Sequence, residues 1–377
     1  MRLNEQQIKA IQSEEKNIFL LAGAGTGKTT VIIKRVQYLI EKNIQPDQIL
    51  VLSFTEESAK ELTKRINNQN IQSQTFHSYC LSCLPKKEIS TNPPGYTQKE
   101  KLDISKYKNS LFKGKKPYRF NQYQQHLKKE NKIDFDDILW LFLKQKTTKT
   151  YTYIFIDEFQ DTNLLQYEVL KKMTNSKTSV FAVGDPDQSI YAFRGSEITI
   201  INRFIKEYKA EIFKLTLNYR STPKIIHIAN NLIKNNKQRI EKQLIPTKKT
   251  TGDLQIIITK NDDSKIIEII KKNQHTTILY RNYLDVIHLK KRLKETYYTN
   301  YQLLTIHGSK GLEFDTVVVI GINQMLKTES KKSLEEERRL LFVAITRAKK
   351  NLYLISSHHN LFIQEIRDTK IRLKTIK

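Results

Sequence analysis

The octet Ala22-Gly23-Ala24-Gly25-Thr26-Gly27-Lys28-Thr29 constrains this chain more than any other feature. It stands between an apolar run, residues 17–22, and a stretch with helical spacing, residues 28–42. A glycine-rich turn from strand to helix that ends in Lys-Thr is the context of a phosphate-binding loop. Its glycines let successive backbone N–H groups turn inward around phosphate oxygens. Lys28 is then placed for the β- and γ-phosphates of ATP, and the Thr29 hydroxyl for Mg²⁺. The strict pattern has glycine where this chain has Ala22.

The rest of the sequence extends that crossover. Short β-branched and aromatic runs predict strands at 17–22, 49–54, 153–156, 179–183 and 213–217, then at 254–259, 277–280, 303–306, 316–320 and 352–356. Amphipathic stretches between them predict helices at 28–42, 56–66, 223–235, 265–272, 284–296 and 334–350. Strands alternating with helices predict an α/β chain with parallel sheets covered on both faces. The run divides near residues 215–221 into two such halves. A length of 377 residues suits two to three domains, and 38% hydrophobic residues suffice for a core. Two cysteines exclude a disulfide-stapled scaffold. No apolar run reaches the ~18–20 residues of a membrane helix, and the first residues lack the apolar stretch of a signal peptide. The expectation is a soluble intracellular protein with no membrane partner.

Charge adds a statement about partners. A formal net charge of +26 suits polyphosphates, nucleic acid above all, although a lysine-rich composition alone produces the same figure. One region departs from the alternation. Residues 99–132 carry eleven Lys or Arg against three acids, interleaved with Tyr107, Phe112, Tyr118, Phe120 and Tyr123. This reads as a small insertion into the first half. Its charges could follow a single strand's backbone while its rings stack on bases, or the rings could form a small core of their own.

A phosphate loop that hydrolyses also needs carboxylates at the end of another strand. Asp157 and Glu158, after the run 153–156, supply them: Asp157 for Mg²⁺ through water, Glu158 to orient and deprotonate the attacking water. Positive charge on the transferring phosphate would come from Arg220 and Arg347. If these reach across a cleft, the nucleotide binds between the halves and the molecule is a motor.

Taken in order, these residues resemble superfamily 1A DNA helicases of the UvrD/Rep/PcrA type, from Leu3 to about Leu354. Residues 3–7, Leu-Asn-Glu-Gln-Gln, resemble the Q motif, and Gln7 would read adenine. Residues 22–29 match motif I, with alanine at the same place. Phe54 and Thr55 fall in a stretch similar to motif Ia, and Thr75 and His77 in one similar to motif Ib. Residues 133–138 resemble the family's stretch before the Walker B strand. The string 156–163, Ile-Asp-Glu-Phe-Gln-Asp-Thr-Asn, is the most diagnostic and matches motif II. Residues 183–191 resemble motif III, where Gln188 would sense the γ-phosphate. Tyr191 and Phe193 would meet DNA, Phe193 standing where the family has Trp. Tyr219 and Arg220 match motif IV, the ring for adenine and the guanidinium for the γ-phosphate. Residues 307–314 resemble motif V, with His307 on DNA and Glu313 near the ribose. Residues 335–348 resemble motif VI, with Arg347 as the arginine finger.

The resemblance implies two RecA-like P-loop NTPase domains, ATP and Mg²⁺ held by Thr29 and Asp157, and 3′-to-5′ movement on single-stranded DNA. The first domain is placed at 1–214 with a reduced 1B insertion at about 82–133, the second at 215–377. Only residues 282–302 separate the strand before motif V from motif V itself, so no 2B domain is expected. The short stretch after motif VI implies no appended nuclease domain. These departures leave a translocase that strips proteins, or one that needs a loading partner to unwind, as alternatives, with a non-enzymatic DNA-binding subunit behind them. The implied partners are single-stranded DNA and single-strand/duplex junctions, met by a monomer in the cytoplasm beside the nucleoid, or inside a host cell if the chain is viral. Cys80, Cys83 and His77 could suggest a metal, but no second cysteine pair completes a tetrahedral site. Trp140 and Met173 are expected in the core, and the basic tail 370–377 as a solvated end.

Overall fold

The structure, a computed structural model, describes residues 2–68, 70–71, 73–90, 92–146, 149–326, 331–367 and 372–375; at 331–332 and 372–375 it describes the backbone. The chain forms two compact units. The first comprises Met1–Ala22, Lys28–Asp185 and Tyr191–Leu215; the second comprises Gly23–Gly27, Pro186–Ile190 and Thr216–Lys377.

The first unit opens with α1 (Glu5–Gln12), which starts at Asn4 because a reciprocal capping box with Gln7 satisfies two of its orphan N–H groups. Then come β1 (Ile18–Ala22), α2 (Lys28–Glu41), β2 (Ile49–Ser53), α3 (Glu56–Ile66), β3 (Ser73–Thr75) and α4 (Phe76–Ser82). The insertion follows: β4 (Glu88–Ile89), α5 (Gln98–Asn109), α6 (Phe120–Lys129) and β5 (Lys132–Ile133). After it come α7 (Phe135–Lys144), β6 (Tyr153–Ile156), α8 (Leu164–Met173), β7 (Ser179–Gly184), α9 (Thr199–Tyr208) and β8 (Glu211–Leu215). Among the described residues the sheet has the order β3-β2-β6-β7-β1-β8, every pair parallel. β1 and β2 are buried along their whole length, as strands covered on both faces must be. A core of Leu20, Val31, Val36, Val51, Phe155 and Val183 joins the sheet to α2 and α3.

The second unit contains β9 (Leu217–Asn218), α10 (Pro223–Ile233), β10 (Ile245–Pro246), β11 (Leu254–Ile258), α11 (Asp262–Lys272), β12 (Thr276–Tyr280) and α12 (Ile287–Lys294). It continues with β13 (Tyr301–Thr305), β14 (Phe314–Val319), α13 (Lys331–Ile345), β15 (Ala348–Ser356), α14 (Leu361–Ile366) and β16 (Arg372–Thr375). Its sheet has the order β13-β12-β14-β15-β11-β16, again parallel throughout. Both units are thus the parallel α/β layers that the alternation predicts.

The differences are local. The helix expected over 334–350 stops at Ile345, where Thr346 and Arg347 close its last turn by N–H bonds to Phe342 and Ala344. Ala348 then opens β15. The strand expected over 213–217 breaks at Thr216: β8 pairs with β1, whereas β9 pairs with β10 in a separate ribbon. The helix expected over 284–296 begins as a 3₁₀ turn, Tyr283–Val286, closed by reciprocal bonds between Asn282 and Asp285. In the basic tail, Arg372–Thr375 pair with β11 as an edge strand instead of forming a solvated end; residues 370–371 and 376–377 lie outside the described residues. In the insertion, Tyr123 packs with Ile104 and Leu127, while Tyr107, Phe112 and Phe120 meet edge to face at 5.2–5.9 Å. The small-core reading therefore holds for these rings. Tyr118 does not join them. Met173 is buried, and half-buried Trp140 lies edge-on to Phe112.

Candidate active site

Each expected phosphate-site residue sits where a strand gives way to a turn or helix. Ala22 ends β1 with no exposure, and its methyl group belongs to that core. Gly25 has φ +66° and Gly27 φ +86°, conformations that favour glycine. At Gly25 crowding adds to this: a Cβ there would lie 2.6 Å from the Arg220 Cβ and 2.7 Å from the Asn218 Nδ2. The loop is braced within the second unit. Thr26 Oγ1 donates to the Gly23 carbonyl at 2.8 Å, the Tyr219 N–H to the Gly25 carbonyl at 2.9 Å, and Asn218 Nδ2 to the Ala24 carbonyl at 2.6 Å. Asn218 is buried, and its Oδ1 also accepts the N–H groups of Arg220 and Ser221.

In the first unit, Lys28 Nζ lies 3.0 Å from both carboxylate oxygens of Glu158. Burial alone would lower the Lys28 pKa, but Glu158, Asp157 and Asp185 together outweigh it and hold the pKa above its ordinary value. Glu158 has φ +52° and ψ +42°, a left-handed conformation that costs a non-glycine residue energy. Such strain persists where the surroundings over-determine it. Gln160, with no exposure, does part of this: its amide donates to Glu158, while its Oε1 accepts the Asp185 N–H at 2.8 Å. Asp157 Oδ1 accepts the Glu158 N–H at 2.9 Å. Thr29 occupies the first turn of α2. Among the described residues no group of three His, Cys, Asp or Glu could hold a metal ion. A hydroxyl and a carboxylate, Thr29 and Asp157, are hard oxygen donors of the kind Mg²⁺ takes alongside phosphate and water. Cys80 and Cys83 are free thiols, Cys80 buried and its pKa pushed up by that burial.

The second unit assembles the arginines. Arg347, 1% exposed, donates to the Val343 and Leu312 carbonyls and, at 3.1 Å, to Gln188 Oε1. Arg220 Nε donates to Glu313 at 2.7 Å and its Nη1 to the Thr346 carbonyl at 3.2 Å. Asp187, beside Gln188, is gripped by Arg239 through two bonds of 2.8 and 3.0 Å and by Lys242. Burial would raise the Asp187 pKa, yet these two cations bring it below its ordinary value. Lys310 Nζ donates to the Gln188 carbonyl, and His307 Nε2 lies 3.2 Å from the Ile190 carbonyl oxygen. Arg239, Lys242, Asn218 and Gln160 went unremarked in the sequence. Gln160 lay within the diagnostic string and Asn218 directly before Tyr219, while Arg239 and Lys242 carry no local pattern.

The residues expected to face nucleic acid fall into two sets. Phe54 and Tyr191 stack at 5.1 Å with 25° between their planes, Phe193 lies 5.9 Å from Tyr191, and the Arg194 guanidinium lies over both Tyr191 and Phe193. Phe193 is 40% exposed. Burial pushes the Tyr191 pKa up to about 12. Thr55 and Thr75 cap α3 and α4, each hydroxyl accepting the N–H three residues on. His77 meets Phe135 edge-on at 6.0 Å, and burial lowers its pKa to about 4 against the opposing pull of Asp134. It is therefore a neutral ring near pH 7, not a cation. Gln7 is buried, and its Oε1 accepts the Asn4 N–H.

Comparison with known proteins follows the same order along the chain. The profile of the UvrD/REP helicase N-terminal domain matches residues 3–115 and 88–209, and that of the UvrD-like helicase C-terminal domain matches 213–298 and 265–359. A probable DNA helicase II homolog of Mycoplasma capricolum is 34% identical over 310 residues, covering 66% of this chain and 43% of that protein. The ATP-dependent DNA helicase PcrA of Bacillus subtilis is 32% identical over 303 residues, covering 64% and 41%. A probable DNA helicase of Mycoplasma pneumoniae is 28% identical over 439 residues, covering 94% and 83%. The matches thus span less than half the length of the first two relatives. With the N-terminal profile alone extending over more than half of its residues, the chain belongs to the UvrD/REP helicase family.

Proposed function

We propose that this chain is an ATP-driven motor that moves 3′ to 5′ on single-stranded DNA and separates duplex strands in replication, repair or recombination. The observation that carries the reading is the Lys28–Glu158 pair at 3.0 Å, with Glu158 held in a strained left-handed conformation. An ammonium that three carboxylates keep protonated suits the γ-phosphate. When Lys28 turns to that phosphate, Glu158 is released to take a proton from the attacking water. Thr29 and Asp157 would hold Mg²⁺, which neutralises phosphate charge when bound. Gln7 and Tyr219 read the base, Glu313 the ribose, and residues 22–29 the phosphates. Gln188, Arg220 and Arg347 stabilise charge on the transferring group.

Phe54, Tyr191 and Phe193 make a stacking platform for bases, and Thr55, Thr75, His77 and His307 complete the DNA track. In this reading residues 1–214 are the ATP-binding domain with a reduced insertion at about 82–133, and 215–377 the C-terminal domain. The protein acts as a cytoplasmic monomer on single strands and junctions.

A second reading has an observation of its own. Between β12 and β13 lie one 3₁₀ turn and α12, with no room for a further domain. A translocase that strips proteins from single strands, or one that unwinds only with a loading partner, fits that economy. Strand separation on duplexes with a 3′ or a 5′ single-stranded tail, with ATP and Mg²⁺, tests both. Unwinding of the 3′-tailed substrate alone supports the helicase and its polarity. Unwinding of the 5′-tailed substrate alone refutes the polarity. ATP turnover on single strands without unwinding favours the second reading.

A further inference from the structure

The outer face of the insertion holds a feature that the motif residues do not use. The segment between α5 and α6 encloses, with α5, a recess of about 620 Å³ whose floor includes buried Ile104 and half-buried Tyr107 and Pro117. Lys106, Lys113, Lys115 and Lys116 stand exposed on its lining, and none makes an ion pair among the described residues. Tyr118 is 98% exposed at the same recess, although the neighbouring rings have all found partners. Two acids share the lining: Glu100, already bonded to Arg119 and Thr97, and Asp103.

Hydrogen bonds within and behind the segment hold its backbone. The Ser110 hydroxyl shares its single proton between the Tyr107 and Lys113 carbonyls, 2.9 and 2.8 Å away, across a turn with Leu111 and Phe112 at positive φ. Arg119, next to Tyr118, donates to the Gly95 carbonyl at 2.9 Å and lies 4.4 Å over the Tyr96 ring. Behind the recess, Lys108 and Asn109 anchor the end of α5 to Asp134, Asp136 and Asp137. The backbone of the site is thus set before a polyanion binds, and the ordering cost falls on the lysine and tyrosine side chains.

We propose that this face is a second nucleotide-binding site, in which Tyr118 stacks an unpaired base and Lys113, Lys115 and Lys116 hold the flanking phosphates of a single strand. Lysines lining one recess beside an exposed ring are the chemistry that recognises single-stranded nucleic acid, where charge follows the backbone and a π-face accepts any base. The site shares no lining residue with the Phe54–Tyr191–Phe193 platform and adds length to the strand the protein holds. It rests on the motor reading only in taking DNA as the strand.

The test compares the wild-type chain with Tyr118→Ala and with the triple variant Lys113→Ala, Lys115→Ala, Lys116→Ala, all at exposed positions where folding is not at stake. Fluorescence anisotropy reads the affinity for a long oligothymidylate across a salt series. ATP turnover stimulated by a short oligothymidylate reads the motif platform. Loss of one stacked base weakens long-oligonucleotide binding about tenfold in Tyr118→Ala. Loss of three phosphate contacts lowers the salt slope by about 2 in the triple variant. Turnover with the short oligonucleotide stays at the wild-type level in both. Unchanged affinity and salt slope overturn the site and leave the face to an acidic protein segment. Because anisotropy needs no hydrolysis, a chain that binds without turning over ATP overturns the motor reading, while the affinity losses still support this site.

Discussion

Replacing Lys108 with methionine should be among the most damaging single changes in the first unit. The Lys108 side chain is 1% exposed, and its Nζ lies 2.7 Å from Asp134 Oδ2 and 2.7 Å from Asp137 Oδ1. Asp136 adjoins them and accepts a bond from Asn109. Methionine fills similar volume, so packing is nearly kept and the loss is electrostatic: three clustered carboxylates lose their buried ammonium. Breaking a buried pair by removing one partner costs about 3–5 kcal/mol. At 2–4 °C per kcal/mol for a unit of this size, the unfolding transition should fall by about 10 °C.

The defect should also depend on pH. Burial, then the charge of Asp134, already raises Asp136 to about 6, and burial raises Asp137 while Lys108 pulls it back. Without Lys108 the folded-state pKa values rise further above the unfolded value near 3.9. Between those values the folded variant binds protons that the unfolded chain does not, so its stability rises as pH falls. Thermal unfolding at pH 8 and pH 5 should show the larger deficit at pH 8. A deficit below about 1 kcal/mol, or one equal at both pH values, would show that Lys108 does not balance these carboxylates.

Three further outcomes can be checked. Arg239→Gln removes the two-bond grip on Asp187 beside Gln188, so steady-state kinetics should show kcat down about tenfold at little changed KM for ATP, partly restored by Arg239→Lys; a rise in KM alone would contradict the positioning role. Phe193→Ala should raise the single-stranded DNA concentration needed for half-maximal ATPase stimulation by about tenfold, and an unchanged value would remove Phe193 from the track. The His77 pKa, lowered to about 4 by burial, lies below its unfolded value, so its contribution to stability is present above about pH 6.5 and lost as pH falls toward 4. His77→Phe should therefore lose less stability than wild type between pH 7 and pH 5, and equal losses would show that this ring does not set the acid limb.

The two parallel sheets are legible in the sequence because most of their strands are short, largely apolar and separated by amphipathic helices. Ser73–Thr75 has no apolar run to announce it and forms an edge strand only because β2 offers a free side. Arg372–Thr375 sits in a basic tail for the same reason, paired with β11. Local strings also point to Lys28, Asp157, Glu158 and Arg347, whose chemistry lies in adjacent residues. What holds them does not show. Arg239 lies 52 residues from Asp187 and Lys242 lies 55, so their meeting is a product of tertiary folding. Asn218 steadies the phosphate loop from 194 residues away. The left-handed backbone of Glu158 is equally invisible, because nothing in the residue type requires it. Tyr118 is the converse case: the sequence places it among ring-forming neighbours, and only the structure separates it from them.

In the proposed cycle, driven by single-stranded DNA, Glu158 activates water against a phosphate held by Lys28. The most direct test is ATP turnover by Glu158→Gln beside wild type, with and without single-stranded DNA, together with nucleotide affinity measured by a fluorescent ATP analogue. DNA-stimulated turnover in the wild type, lost in the variant while nucleotide affinity is kept, is the predicted result. Turnover at the wild-type rate in Glu158→Gln would contradict it.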